Sequence, residues 1–82
     1  MELRINMVRI SSAMIHSVGY HAEAKILQIV FRNNSMFQYF NVPKNVYMDM
    51  IAANSKGNYF SVCVKDAFYH QYPYFSSARR LL

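Results

Sequence analysis

Residues 25–42, which read KILQIVFRNNSMFQYFNV, decide the fold of this chain. In the first half, the segment from Lys25 to Arg32 alternates between two faces, with Leu27, Ile29 and Phe31 on one of them, which is the period-2 pattern of a β-strand. A second alternating segment runs through residues 36–42. Asn33-Asn34-Ser35 lies between them, and asparagine tolerates the positive φ that tight hairpin turns require. The stretch therefore predicts a β-hairpin.

A helix is predicted directly after the hairpin, from Pro43 to Ala53. Pro43 pre-sets φ for a first helical turn, and Gly57 lies just past the end as a stop signal. Apolar residues recur between them at offsets of one, three and four. This stripe comprises Val46, Tyr47, Met50, Ile51 and Ala53. We expect it to cover one face of the hairpin, with Phe31, Val46 or Tyr47, and Ile51 in one core.

Residues 55–68 are compatible with either a strand or a helix. The run Val62-Cys63-Val64 favours a strand by propensity. Against this, Tyr59, Phe60, Cys63 and Val64 fall at helical offsets, with Ser55 placed as an N-cap. We favour a short second helix, in which Cys63 is expected to be a small buried hydrophobic residue.

Two extended segments are predicted before the hairpin. Leu3 to Ile10 alternates weakly, as a strand or an extended arm does. Met14 to Tyr20 is a second apolar run, in which Ile15 and Val18 are out of phase for a regular strand. Gly19 within this run indicates a bulge or a close approach of another backbone.

These elements predict one α+β domain that spans residues 1–82. Strands that precede helices, rather than alternating with them, argue against parallel βαβ units. We expect a small antiparallel β-meander of three or four strands packed against one or two short α-helices. Residues 75–82 are predicted to form a flexible tail.

Composition narrows the class of protein. Hydrophobic types make up 54% of the 82 residues, which is enough for a packed core, and nine Lys and Arg against four Asp and Glu give a net charge of +5. No apolar run reaches the roughly 18 residues of a membrane span, and nothing resembles a signal peptide. One cysteine excludes an internal disulfide framework. We therefore expect a cytoplasmic protein.

The sequence offers little for catalysis or for metal binding. His16, His21, Cys63 and His70 lack the spacing of metal ligands, so no metal and no cofactor are expected. No Ser, Cys or carboxylate pattern indicates a nucleophile with its base. We therefore expect a binding module rather than an enzyme.

Four motifs, in this order and at this spacing, resemble the KTSC domain, a module named for the C-terminus of some lysyl-tRNA synthetases. The motifs are Ser11-Ser12-x-x-Ile15-x-x-Val18-Gly19-Tyr20, Leu27-x-Ile29-x-Phe31, Val42-Pro43-x-x-Val46-Tyr47 and Ala53-x-Ser55-x-Gly57-x-Tyr59-Phe60. The resemblance covers about residues 8–74, and the synthetase association implies RNA binding. One departure is Phe37-Gln38-Tyr39 in place of the family's Tyr-x-Tyr, which removes one hydroxyl.

RNA or another single-stranded nucleic acid is the partner we expect. Such ligands are held by aromatic rings that stack on bases beside cations that contact phosphates. If Ser55 opens a helix, its free backbone N–H groups and Lys56 could also form an anion site. The candidate residues are Arg32, Phe37, Tyr39, Lys44, Ser55, Lys56, Gly57, Tyr59 and Lys65.

The alternative partner is another protein or a second copy of the chain. The same aromatic rings, with Met36 and Met48, would then form an adaptable apolar surface, as in a phage-type adaptor or inhibitor. The two hypotheses predict different surfaces. Cations around exposed aromatic side chains would favour nucleic acid, whereas exposed apolar surface away from the cations would favour a protein partner.

Overall fold

An antiparallel sheet with its strands in sequence order forms one layer of the protein, and a helical layer covers one of its faces. The computed structural model describes residues 4–68 and 70–71. The strands are β1 (Val8–Arg9), β2 (Ile15–His21), β3 (Ile26–Phe31), β4 (Met36–Tyr39) and β5 (His70–Gln71). The helices are α1 (Lys44–Ala52) and α2 (Lys56–Tyr59), which is followed directly by a π-helical turn, Phe60–Val64.

The predicted α+β meander is confirmed. Its three long strands, β2 to β4, are flanked by the two-residue strands β1 and β5, which bring the sheet to five strands. None of the helices formed by the described residues is long and apolar enough to cross a membrane. The predicted tail, residues 75–82, lies outside the described residues.

The predicted β-hairpin is confirmed as the β3–β4 pair. Leu27 pairs with Tyr39, and Ile29 pairs with Phe37. In the turn, the Asn34 N–H donates to the Phe31 carbonyl at 2.9 Å. Asn34 has a φ of 71°, the left-handed conformation that asparagine tolerates.

A β-bulge in β2 resolves the phase conflict between Ile15 and Val18. Ile15 pairs with Phe31, but Ser17 pairs with Val30, so His16 is an extra residue in β2. The extra residue turns Ile15 to the same face as Val18. Both side chains are fully buried there, under the helical layer.

An N-terminal arm, residues 5–7, crosses the opposite face of the sheet at Gly19. A Cβ atom at Gly19 would lie 2.5 Å from the Asn6 carbonyl oxygen and within 2.8 Å of the Ile5 and Met7 side chains. The predicted close approach of another backbone is therefore confirmed, and only glycine leaves room for it.

Two buried glutamines lie on the same face as Gly19. The Gln38 side-chain amide donates to Gln28 Oε1 at 2.8 Å, and the Gln28 amide donates to Met7 Sδ at 3.3 Å. Each polar side chain thus has a partner, as burial requires. The arm is joined to the sheet by this pair as well as by packing at Gly19.

Gly19→Ala is expected to lower the free energy of unfolding by about 1–3 kcal/mol, because the new methyl group overlaps the arm. Gly57→Ala is the matched control. Its Cβ would lie 3.3 Å from the flexible Met14 methyl group and 3.4 Å from Ser12 Oγ, contacts that small side-chain shifts relieve, and its φ is not positive. In a helix this change is neutral or stabilising by up to about 1 kcal/mol. Denaturant melts compare the two variants, and equal losses would contradict the assigned role of Gly19.

Helix α1 packs on the sheet through the predicted stripe. Met50 is the α1 residue that is completely buried, and Val46, Tyr47 and Ile51 pack beside it as partly buried residues. Phe31 packs against the same core as a partly buried residue. The core comprises Ile15, Val18, Leu27, Ile29, Tyr39, Val42, Met50, Phe60 and Val64.

A pair of tyrosines joins β2 to α1. The rings of Tyr20 and Tyr47 stack with centroids 5.1 Å apart, and the Tyr20 hydroxyl donates to the Val42 carbonyl at 2.6 Å. These contacts hold the start of α1 beside the central strands.

The second helix is confirmed, with Ser55 as its N-cap. Ser55 Oγ accepts a hydrogen bond from the Asn58 N–H at 3.3 Å. The π-helical turn ends with the Lys65 N–H donating to the Phe60 carbonyl at 2.9 Å.

The expectation that Cys63 is buried is wrong. Cys63 is exposed, whereas Phe60 and Val64 are buried. Since the π turn holds more residues than an α turn, the two apolar anchors point inward and residues 61–63 lie on its outer side.

Candidate functional site

A groove of about 490 Å³ lies between the sheet and the π-helical turn. We call it the aromatic groove. Among the residues that the structure describes, four aromatic rings and one methionine supply its apolar lining, and four polar residues line its other side. The lining comprises Met14, Phe31, Phe37, Tyr39 and Phe60 with Ser61, Lys65, Asp66 and His70.

The four aromatic rings hold one another in place. Phe37 stacks on Tyr39 with ring centroids 6.1 Å apart and planes 21° apart. The Phe60 ring packs edge-to-face against the rings of Tyr39 and Phe31. The ring centroids are 5.5 and 5.4 Å apart, and the interplanar angles are 78° and 65°. Such offset and edge-to-face arrangements are the favoured ones for aromatic pairs. The groove is therefore lined by a preformed surface.

Phe37 and Tyr39 lie on the face of β4 that the helices cover. Tyr39 is only 2% exposed, so its ring is part of the core and is not a free stacking platform. Phe37 is half-buried and lines the same groove. The stacking hypothesis for this strand therefore depends on Phe37.

The polar side of the groove carries both signs of charge. Lys65 and Asp66 follow the π-helical turn and are exposed. Burial, with the negative charge of Asp66 as a second cause, raises the pKa of Tyr39 to about 12. The Asp66 carboxylate therefore lies close enough to Tyr39 to influence its hydroxyl.

His70 enters the groove through sheet pairing. β5 places His70 opposite Tyr39. The His70 ring lies 5.1 Å from the Tyr39 ring and 5.4 Å from the Phe37 ring, centroid to centroid. An exposed imidazole thus continues the aromatic surface of the groove.

Two of the predicted cations make structural hydrogen bonds. Arg32 Nε donates to the Ser12 carbonyl at 3.0 Å, and Arg32 Nη2 lies 3.4 Å from the Ile10 carbonyl that accepts from it. Lys56 Nζ donates to the Ala53 carbonyl at 3.1 Å. Both side chains bind the backbone of neighbouring segments, and neither lines the aromatic groove.

The remaining predicted residues also lie outside the aromatic groove. Lys44 is exposed at the start of α1, and Ser55 and Gly57 begin the second helix. Tyr59 is half-buried, and desolvation, followed by electrostatic interactions with Asp49 and Cys63, raises its pKa. Of the nine candidates, only Phe37, Tyr39 and Lys65 come together.

Sequence reasoning missed Ser61, Asp66 and His70. Ser61 and Lys65 are four residues apart, a spacing that places side chains on one side of a helix, and this signal was available. The position of His70 had no such signal, because β5 is two residues long.

Among residues 4–68 and 70–71, no group of three His, Cys, Asp or Glu side chains could hold a metal ion.

Comparison with known proteins adds a family match. A family profile described as the KTSC domain matches residues 11–69. The chain is similar to a crystal structure of a KTSC domain protein from Yersinia pestis, with a TM-score of 0.81 and 31% sequence identity. The similarity covers 83% of this chain and 96% of that chain.

Curated relatives include two small bacterial proteins and one much longer enzyme. A protein of Tsukamurella paurometabola is 32% identical over 62 residues, which cover 76% of this chain and 92% of the relative. An uncharacterized protein of Stutzerimonas stutzeri is 31% identical over 62 residues, 76% of this chain and 87% of the relative. A lysine–tRNA ligase of Nostoc punctiforme is 31% identical over 62 residues, 76% of this chain but 11% of the ligase.

Proposed function

We propose that this chain, which belongs to the KTSC domain family, is a non-enzymatic module that binds single-stranded RNA in its aromatic groove. The observation that carries the proposal is the composition of that groove: an aromatic lining next to a lysine. Unpaired bases stack on aromatic side chains, whereas the phosphates between them are neutralised by cations.

The groove is large enough to accept a base. Ligand sites generally have volumes of about 300–1,000 Å³, and the aromatic groove has about 490 Å³. A base placed against Phe37 and His70 would leave its sugar and phosphate at the open side, next to Lys65. Because the rings already pack against one another, little ordering is needed on binding.

Two further facts support RNA as the partner. The net charge of +5 attracts polyanions over the whole surface. A segment similar to this chain is also part of a lysine–tRNA ligase, a protein whose name states that it acts on tRNA.

A salt titration of fluorescent single-stranded RNA tests the proposal, with Lys65→Ala and Lys44→Ala as a matched pair. Both lysines are exposed, but only Lys65 lines the aromatic groove. Each phosphate neutralised contributes about 0.7 to the slope of log affinity against log salt. We expect Lys65→Ala to weaken binding and to lower the slope by about 0.7, whereas Lys44→Ala should change both much less.

Two results would contradict the RNA proposal. One is the absence of RNA binding by the folded wild-type protein at low salt. The other is an equal loss of RNA affinity in Lys65→Ala and Lys44→Ala. That result would mean that the RNA is attracted by the overall charge of the surface and does not bind in the groove.

The alternative function, a protein–protein module, is favoured by exposed apolar side chains outside the groove. Val62 on the π-helical turn is 74% exposed, and Met48 on α1 is 52% exposed. If RNA does not bind, measurements of the molecular mass in solution of the wild-type protein and of Val62→Asp test this function. A larger species that Val62→Asp reduces to a monomer would support self-association.

A further inference from the structure

We propose that the aromatic groove prefers guanine among unpaired bases, because the Asp66 carboxylate accepts hydrogen bonds from the Watson–Crick edge of that base. The inference rests on the proposed RNA-binding function and adds base selection to it. It assigns a specificity role to Asp66.

The position of Asp66 suggests such a role. A carboxylate repels phosphates, so it weakens a surface that only attracts the RNA backbone. Asp66 nevertheless lines the aromatic groove, immediately after Lys65. After burial, the Asp66 charge is the second cause of the raised pKa of Tyr39, which is consistent with the position of the carboxylate beside the aromatic lining. A base stacked in the groove would meet this negative group at its edge.

Guanine is the base that best matches an acceptor with two oxygens. An ionised carboxylate only accepts hydrogen bonds, and it can accept two side by side. Guanine presents two neighbouring donors, N1–H and N2–H. Adenine and cytosine each present one amino group beside an acceptor nitrogen, and uracil presents N3–H between two carbonyl oxygens, which a carboxylate repels. Unpaired bases are read on this edge.

The neighbouring groups are compatible with this arrangement. The Lys65 ammonium can contact a phosphate while Asp66 contacts the base. Ser61, four residues before Lys65, also lines the groove, and its hydroxyl can donate or accept a hydrogen bond. The Tyr39 hydroxyl is neutral at physiological pH, as the ordinary tyrosine pKa of about 10 already requires, and it adds no second negative charge beside the base.

The test compares short RNAs that are identical except at one central position, which is guanine, inosine or uracil in an otherwise uridine-only strand. Inosine lacks the guanine N2 amino group. A good bidentate contact discriminates between bases by about 5- to 100-fold, and we expect the low end because Asp66 is exposed. The guanine strand should therefore bind about fivefold more tightly than the uridine strand, with inosine between them.

Asp66→Asn and Asp49→Asn form the matched pair of variants. Each removes one negative charge, but Asp49 lies on the exposed side of α1 and does not line the groove. Both should raise affinity for the uridine strand slightly through charge alone. Only Asp66→Asn should reduce the guanine-to-uridine ratio towards one. Asp66→Asn should also lower the pKa of Tyr39. This change can be measured from tyrosinate absorbance as a function of pH, without RNA.

The outcomes separate this inference from the proposed function. Wild-type protein that binds all three strands equally would overturn the guanine preference and leave RNA binding intact. So would a preference that survives Asp66→Asn. Failure to bind any strand would overturn the proposed function itself, and the inference with it.

Discussion

Met50→Ala is expected to lower the free energy of unfolding by about 2–5 kcal/mol. Met50 is completely buried and packs against the core that the sheet contributes. Its truncation removes buried apolar surface and leaves a cavity that the surrounding residues fill only in part. Small domains have total stabilities of about 5–15 kcal/mol, so the variant should be close to unfolding. Denaturant titration followed by circular dichroism measures the loss.

Met48→Ala is the control for this prediction. Met48 lies on the same helix and has the same side chain, but it is 52% exposed. We expect a change within about 0.5 kcal/mol. Comparable losses in both variants would mean that α1 does not dock through the face that contains Met50.

Tyr39→Ala is expected to cost about 3–5 kcal/mol, the usual range for removing a large ring from a core. Tyr39 is 2% exposed, and its ring contacts Phe37, Phe60 and His70. The loss should therefore extend to the rings that line the aromatic groove. A thermal melt that matches wild type would contradict the assignment of Tyr39 to the core.

Tyr39→Phe is the control, since it keeps the ring and removes only the hydroxyl. It also gives a pH readout. The folded-state pKa of Tyr39, about 12, lies above the ordinary value of 10, so folding disfavours the phenolate. The contribution of Tyr39 to stability is complete below pH 10 and is lost as pH rises from about 10 to 12. The decline in this interval should be smaller in Tyr39→Phe than in wild type.

This role of Tyr39 affects how RNA-binding variants are interpreted. If Tyr39→Ala failed to bind RNA, the cause could be unfolding of the protein as well as the loss of a stacking contact. Lys65 and Asp66 are exposed and can be replaced without opening a cavity. For this reason the two binding experiments rely on them.

The hairpin and the helices were predictable because their signals are local. Alternation from Leu27 to Phe31, the asparagine turn and the stripe around Met50 each depend on neighbouring residues. The side-chain periods of 2.0 and 3.6 residues follow directly from backbone geometry. Residues 55–68 were harder, because the run Val62-Cys63-Val64 has strand propensity. The π-helical turn, which leaves Cys63 exposed, had no local signal.

The candidate site was predictable only in part. Phe37 and Lys65 could be named as site residues from residue type alone. The sequence left open which face of β4 is covered, and packing of the helices decided that Tyr39 is buried. Arg32 and Lys56 were also candidates by charge, but hydrogen bonds to the carbonyls of Ser12 and Ala53 engage them.

The sequence by itself therefore determined the α+β class, the hairpin and the helix that carries Met50. These features follow from side-chain period and turn chemistry, which act over a few residues. Only the tertiary structure decided that His70 meets Phe37 and that Asp66 lies in the aromatic groove. Those residues come together through the pairing of β5 with β4 and the packing of the π-helical turn, which are contacts between segments distant in the chain.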